Sequence, residues 1–213
     1  MEIIYYITDI LSYIPILVLI VSVLINFRNI KCFTKKHLAL YILISYALIN
    51  EVLSRIVSQI TSNNLIFINL FAIVYLTTLF AYMYYSNMRY KKIKTTIFAI
   101  LFMYNLYEIF YINYTDLKIF QTYAYIINSI FLLFISIFQL LSKMEDDNYI
   151  SFNEYMFIAF FAMVTIINLP INIIINYNDI LVYILWILNI ITVTAFYYFL
   201  SNYLWKFGKT QKL

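Results

Sequence analysis

Three charged residues interrupt long apolar stretches of the chain: Glu51, Arg55 and Glu108. A central Asp or Arg on a membrane-spanning helix costs roughly 2.5 to 3.5 kcal/mol, so such groups are expected to face a bundle interior and to be paired or hydrated. Glu51 and Arg55 stand one helical turn apart, a spacing that permits an intrahelical ion pair. The expected nearest partner of Arg55 is therefore Glu51 or Glu108, since a buried charge left alone costs far more than a paired one. Carboxylates held in apolar surroundings also become candidates for acid/base work or proton relay. This sets an intramembrane lipid-modifying enzyme, or a proton- or ion-coupled transporter using Glu51 and Glu108, beside a purely structural reading.

Other polar residues recur at helical spacing. Counting about 1.5 Å per residue puts Glu51 roughly 21 Å beyond His37, Arg55 roughly 27 Å, and Glu108 roughly 18 Å beyond Thr96, all past the middle of a bilayer. Asn50, next to Glu51, belongs to the same level. Tyr104, Asn105 and Glu108 share one helical face, as do Gln121, Tyr125 and Asn128, and again Thr165, Asn168 and Asn172, because spacings of three, four and seven return to one side of a helix. Trp186 and Asn189 add an aromatic ring and an amide at this level. Two readings follow: a polar pocket in which Arg55 or Glu108 fixes an ionised ligand group between tyrosine walls, or a polar core that glues helices together.

Several chemistries find no residues. His37 is the single histidine and sits at the start of an apolar run, where a solvated interfacial position is expected. Zinc needs three or four His, Cys or carboxylate ligands, and one histidine cannot reach Glu51 or Glu108 across a bilayer. A serine nucleophile has no base beside it. A retinal Schiff base has no lysine in the last span. Cys32 is the only cysteine, which excludes an intrachain disulfide or a thiolate cluster. No cofactor is expected. Transporters usually need broken helices around a midplane site, whereas this chain has one glycine, Gly208, and two prolines, Pro15 and Pro170, each expected to kink a span.

The elements that position these residues follow from composition. Of 213 residues, 65% are hydrophobic and 11% charged, against about 25% charged in soluble domains. Apolar segments fall at about 8 to 28, 38 to 61, 65 to 86, 95 to 114, 119 to 142, 154 to 176 and 180 to 205. Each can span a membrane, which predicts an all-α, single-domain bundle of seven transmembrane helices over residues 1–213. All lysines and arginines except Arg55 and Lys118 lie on the side of the first, third and fifth connections and the tail. Basic loops stay in the cytoplasm, so the N-terminus is expected outside, the C-terminus inside, and the chain as a multi-pass protein of the cell's inner membrane. The acidic start Met1-Glu2 lacks the basic flank of a secretory signal. The triplet Asn113-Tyr114-Thr115 falls outside in this topology and is a potential glycosylation sequon.

The run from His37 to Met144 resembles a group of small, uncharacterised bacterial seven-helix membrane proteins. The features that carry it are the Glu51 to Arg55 pair, the Asn63-Asn64 hairpin, the aromatic third span and Tyr104-Asn105-Leu106-Tyr107-Glu108. The resemblance implies a compact bundle working beside another protein. By size and hydropathy the chain is also similar, more faintly, to multi-pass accessory proteins of RNA-targeting CRISPR loci, although no direct nucleic-acid contact is expected. The leading expectation is a non-enzymatic membrane sensor or regulatory subunit that binds a small molecule or lipid in an outer-half pocket. Its cytoplasmic loops, Glu145, Asp146 and Asp147 among them, would contact an effector protein.

Overall fold

The computed structural model describes residues 2–61, 65–86, 90–111, 123–145, 151–174 and 179–211. Among these the regular elements are helices: α1 Glu2–Leu11, α2 Tyr13–Phe27, α3 Lys35–Thr61, α4 Leu65–Ser86, α5 Lys91–Tyr111, α6 Tyr123–Glu145, α7 Phe152–Ile174 and α8 Asp179–Thr210, with a short 3-10 turn at Ile30–Cys32. Six stretches are long and apolar enough to cross a membrane: Tyr6–Phe27, Lys35–Ile60, Lys91–Tyr111, Tyr123–Ser142, Phe152–Ile171 and Ile180–Thr210. The 22-residue α4 stands among them as a seventh rod. The architecture is that of a multi-pass membrane protein, with large apolar side chains such as Leu17, Ile100 and Phe134 facing outward.

Pro15 explains why the first rod is two helices. Its ring nitrogen carries no hydrogen for the carbonyl four residues back, and the ring crowds that carbonyl. The helix breaks at Ser12, whose hydroxyl donates to the Asp9 carbonyl at 2.5 Å. Pro170, by contrast, lies inside a continuous α7.

The rods α2, α3, α4, α6, α7 and α8 each pack on the next and close a ring, and α5 packs against α4 and α6. At the end of the ring that carries the basic connections, Leu40, Leu43, Leu76, Leu79, Phe157 and Leu200 are buried in the interior. The same end is locked by polar and aromatic contacts. Asn26 donates to the Ser201 hydroxyl at 3.0 Å, and the Tyr82 hydroxyl donates to Glu154 Oε1 at 2.6 Å.

His37 is buried, contrary to the solvated position expected from sequence. Its ring nitrogens meet Thr34 Oγ1 at 2.6 Å and the Tyr203 hydroxyl at 3.1 Å, and the ring stacks on Phe207 at 3.5 Å between centroids. The physical reason is the length of α8, which runs past the anticipated end at residue 205 to Thr210 and lays its last turns over the start of α3. Gly208 allows that approach: a Cβ there would lie 2.5 Å from the Cβ of Asn29.

Candidate functional site

At the opposite end of the ring the helices do not fill the interior. A cavity of about 330 Å³ lies between α3, α4, α6, α7 and α8. Its floor is shared with the core through Tyr75, Val164, Phe196 and Tyr197. One face of α3 supplies its polar wall, because Asn50, Glu51, Ser54, Arg55 and Ser58 recur at helical spacing. Tyr125 of α6, Asn168 of α7 and Trp186 and Asn189 of α8 complete it. Asn168 donates to the Tyr125 hydroxyl at 3.3 Å, tying α6 to α7.

The ion pair expected between Glu51 and Arg55 is present but loose, with Arg55 Nε 4.0 Å from Glu51 Oε2. The nearest partner of Arg55 is neither carboxylate. Its Nη2 donates to both the Ser12 carbonyl and the Ser12 hydroxyl oxygen, each at 2.9 Å, while the guanidinium lies over the Tyr13 ring, 4.5 Å from its centroid. The Pro15 break causes this: interrupting the helix exposes the backbone at Ser12, and polar side chains from neighbouring helices take up such freed groups. Glu51 is left half-exposed to the cavity, within electrostatic reach of Tyr125 and Tyr197.

Of the residues singled out from sequence, Asn50, Glu51, Arg55, Tyr125, Asn168 and Trp186 line this cavity. Glu108, Asn105 and Asn128 do not. Glu108 Oε2 accepts the Ala124 amide at 2.7 Å and so satisfies a free N–H of the first turn of α6, with Tyr104 bonded to the same carboxyl group. Asn105 and Asn128 form a reciprocal amide pair at 3.0 and 2.8 Å, and both are fully buried. Asn105 also donates to the Leu101 carbonyl at 2.6 Å and Asn128 to the Ala72 carbonyl at 3.3 Å. This polar set clasps α4, α5 and α6. Gln121, Asp146 and Asp147 lie outside the described residues, as do the sequon, Asp116 and Lys118; Glu145 ends α6.

Sequence reasoning missed the apolar lining of the cavity and its polar residues Ser54, Ser58, Tyr75 and Tyr197, and the buried Glu154. A signal for Glu154 existed: Ser151 and Glu154 have the spacing of a capping box, and the Glu154 amide donates to Ser151 Oγ at 3.2 Å. Its carboxylate, however, turns to Tyr82. Among the described residues no group of three or more His, Cys, Asp or Glu side chains could hold a metal ion. No family model, curated protein or solved structure matches the chain.

Proposed function

We propose that the protein is a non-enzymatic membrane sensor or regulatory subunit that binds a small molecule or lipid in the cavity between α3, α4, α6, α7 and α8. One observation carries this reading. A bundle with a buried apolar core at its other end keeps about 330 Å³ open around polar atoms without a hydrogen bond, among them Asn50 Oδ1, Asn189 Oδ1 and Arg55 Nε. Buried polar groups cost free energy unless something satisfies them, so a bound molecule supplies what the fold does not.

In this reading the N-terminus is outside, the C-terminus is inside and the cavity lies in the outer half of the inner membrane, because the basic connections mark the cytoplasmic end. The acidic stretch Glu145, Asp146 and Asp147 then meets a cytoplasmic effector. Ligand binding signals only by favouring one helix packing over another, and the Arg55 contact with the Ser12 break is the element placed to respond. The alternatives are an intramembrane lipid-modifying enzyme using Glu51 or Glu108 as acid/base and a proton- or ion-coupled carrier; of the two carboxylates only Glu51 lines the cavity.

The test is extraction of the protein in native lipid particles, followed by mass spectrometry of bound compounds. A compound that copurifies with the unaltered chain and is lost from Ser54→Phe at an unchanged melting temperature supports the reading. An identical lipid profile for the two proteins rejects it.

A further inference from the structure

The partnerless polar atoms along the cavity are mostly acceptors. Asn50 Oδ1 and Asn189 Oδ1 are buried without a hydrogen bond. The Glu51 carboxylate makes none among the described residues, and its closest cation is 4.0 Å away. The donor exception is Arg55 Nε, but the same guanidinium is already held by two contacts to Ser12 and by the face of Tyr13. An anion drawn to Arg55 would have to compete with those contacts and would meet Glu51 beside them. A hydrogen-bond donor meets three acceptors that have no hydrogen bond to give up, only the loose ion pair of Glu51 with Arg55.

The walls point the same way. Phe71, Tyr75, Tyr125, Trp186, Phe196 and Tyr197 surround the cavity, and Tyr75 and Tyr125 stack with centroids 6.1 Å apart. The negative face of an aromatic ring attracts ammonium groups and repels anions, most strongly where water is excluded. A carboxylate with two amide oxygens in such a lining is matched to N–H donors that carry positive charge, which are shorter and stronger partners than neutral ones.

Resting on the reading of this cavity as a ligand site, we propose that its ligand is a protonated amine: an ammonium group donating to Glu51, Asn50 and Asn189, with an apolar or aromatic body between the rings. The site discriminates by charge sign and by N–H donors, so a neutral alcohol of the same shape binds more weakly, an anion more weakly still, and a quaternary ammonium lies between the protonated amine and the alcohol.

Trp186 lines the cavity and Trp205 does not, so Trp205→Phe leaves one reporter in place. That variant, in lipid nanodiscs, is titrated with benzylammonium, benzyltrimethylammonium, benzyl alcohol and benzoate while Trp186 emission is followed. The expected result is saturable binding of benzylammonium, at least about tenfold tighter than benzyl alcohol and lost by about tenfold or more in Glu51→Gln. Glu51→Asp should recover part of it. Comparison of the four compounds on the one protein holds even if Glu51→Gln folds poorly. Saturation by benzoate, weakened by Arg55→Lys, or equal binding of alcohol and amine overturns the amine assignment while keeping the ligand cavity. Failure of all four to saturate, with emission unchanged by Ser54→Phe, overturns the cavity reading as well.

Discussion

Two polar regions of one apolar bundle use the same side-chain types to opposite ends. Between α4, α5 and α6, Asn105 and Asn128 bond to each other, Asn105 also donates to the Leu101 carbonyl of its own helix and Asn128 to the Ala72 carbonyl of α4, and Glu108 holds the first turn of α6. Between α3, α7 and α8, Asn50, Glu51 and Asn189 border open space with acceptors unmet. The first region joins helices because each amide fills the other's needs. The second borders a cavity: the amide oxygens of Asn50 and Asn189 have no hydrogen bond, and among the described residues the Glu51 carboxylate has only the Arg55 guanidinium at 4.0 Å. Polar residues in lipid therefore do not declare themselves as glue or as site by type; the decisive quantity is whether a partner lies within about 3 Å.

The sharpest way to break this contrast is at Asn128. Asn128→Leu strands the Asn105 amide and should lower stability by about 1 to 2 kcal/mol, read as a fall in the melting temperature of the solubilised protein. Adding Asn105→Leu should return part of that loss, since removing both partners leaves nothing unsatisfied. A double variant as unstable as the sum of the two singles would show that the clasp works by packing instead.

A smaller effect belongs to Glu108. Glu108→Ala removes an acceptor from the start of α6 and should cost about 1 kcal/mol, with amine binding unchanged when measured by Trp186 emission. Lost binding at an unchanged melting temperature would place Glu108 with the cavity after all. Arg55→Ala should cost somewhat less, about 0.5 to 1 kcal/mol, because the Ser12 carbonyl it serves sits at a partly open break. Faster protease cleavage near Ser12 is the accompanying signature.

Least affected in folding should be Glu51→Gln, within about 0.5 kcal/mol of the unaltered chain, because Glu51 has no short contact to lose. A fall of 2 kcal/mol or more would move Glu51 into the structural class and erase the distinction between the two regions.

Much of this fold was legible from hydropathy alone. Apolar runs of spanning length gave the rods, and Pro15 announced a disturbance in the first of them, although the break falls at Ser12. What one-dimensional spacing could not supply was which face meets which neighbour. Glu51 and Glu108 sit at similar heights on polar stripes, yet α3 turns its stripe to the interior of the ring while α5 turns its own to α6. His37 was misjudged for a related reason: its burial depends on Tyr203 and Phe207, distant in sequence and carried there by the unexpected length of α8. Glu154 was hidden by its place at a helix start, where an acidic residue needs no further explanation.

The contact of Gly208 with Asn29 has a consequence at the level of the gene. Every single-nucleotide missense change in a glycine codon introduces a residue with a Cβ, and here the first added carbon already collides with the side chain of Asn29. This codon therefore has no mild missense neighbour. The chain's one glycine should stand out in a saturation-mutagenesis scan as a position where even alanine is depleted, while the outward-facing leucines and isoleucines around the bundle exchange freely.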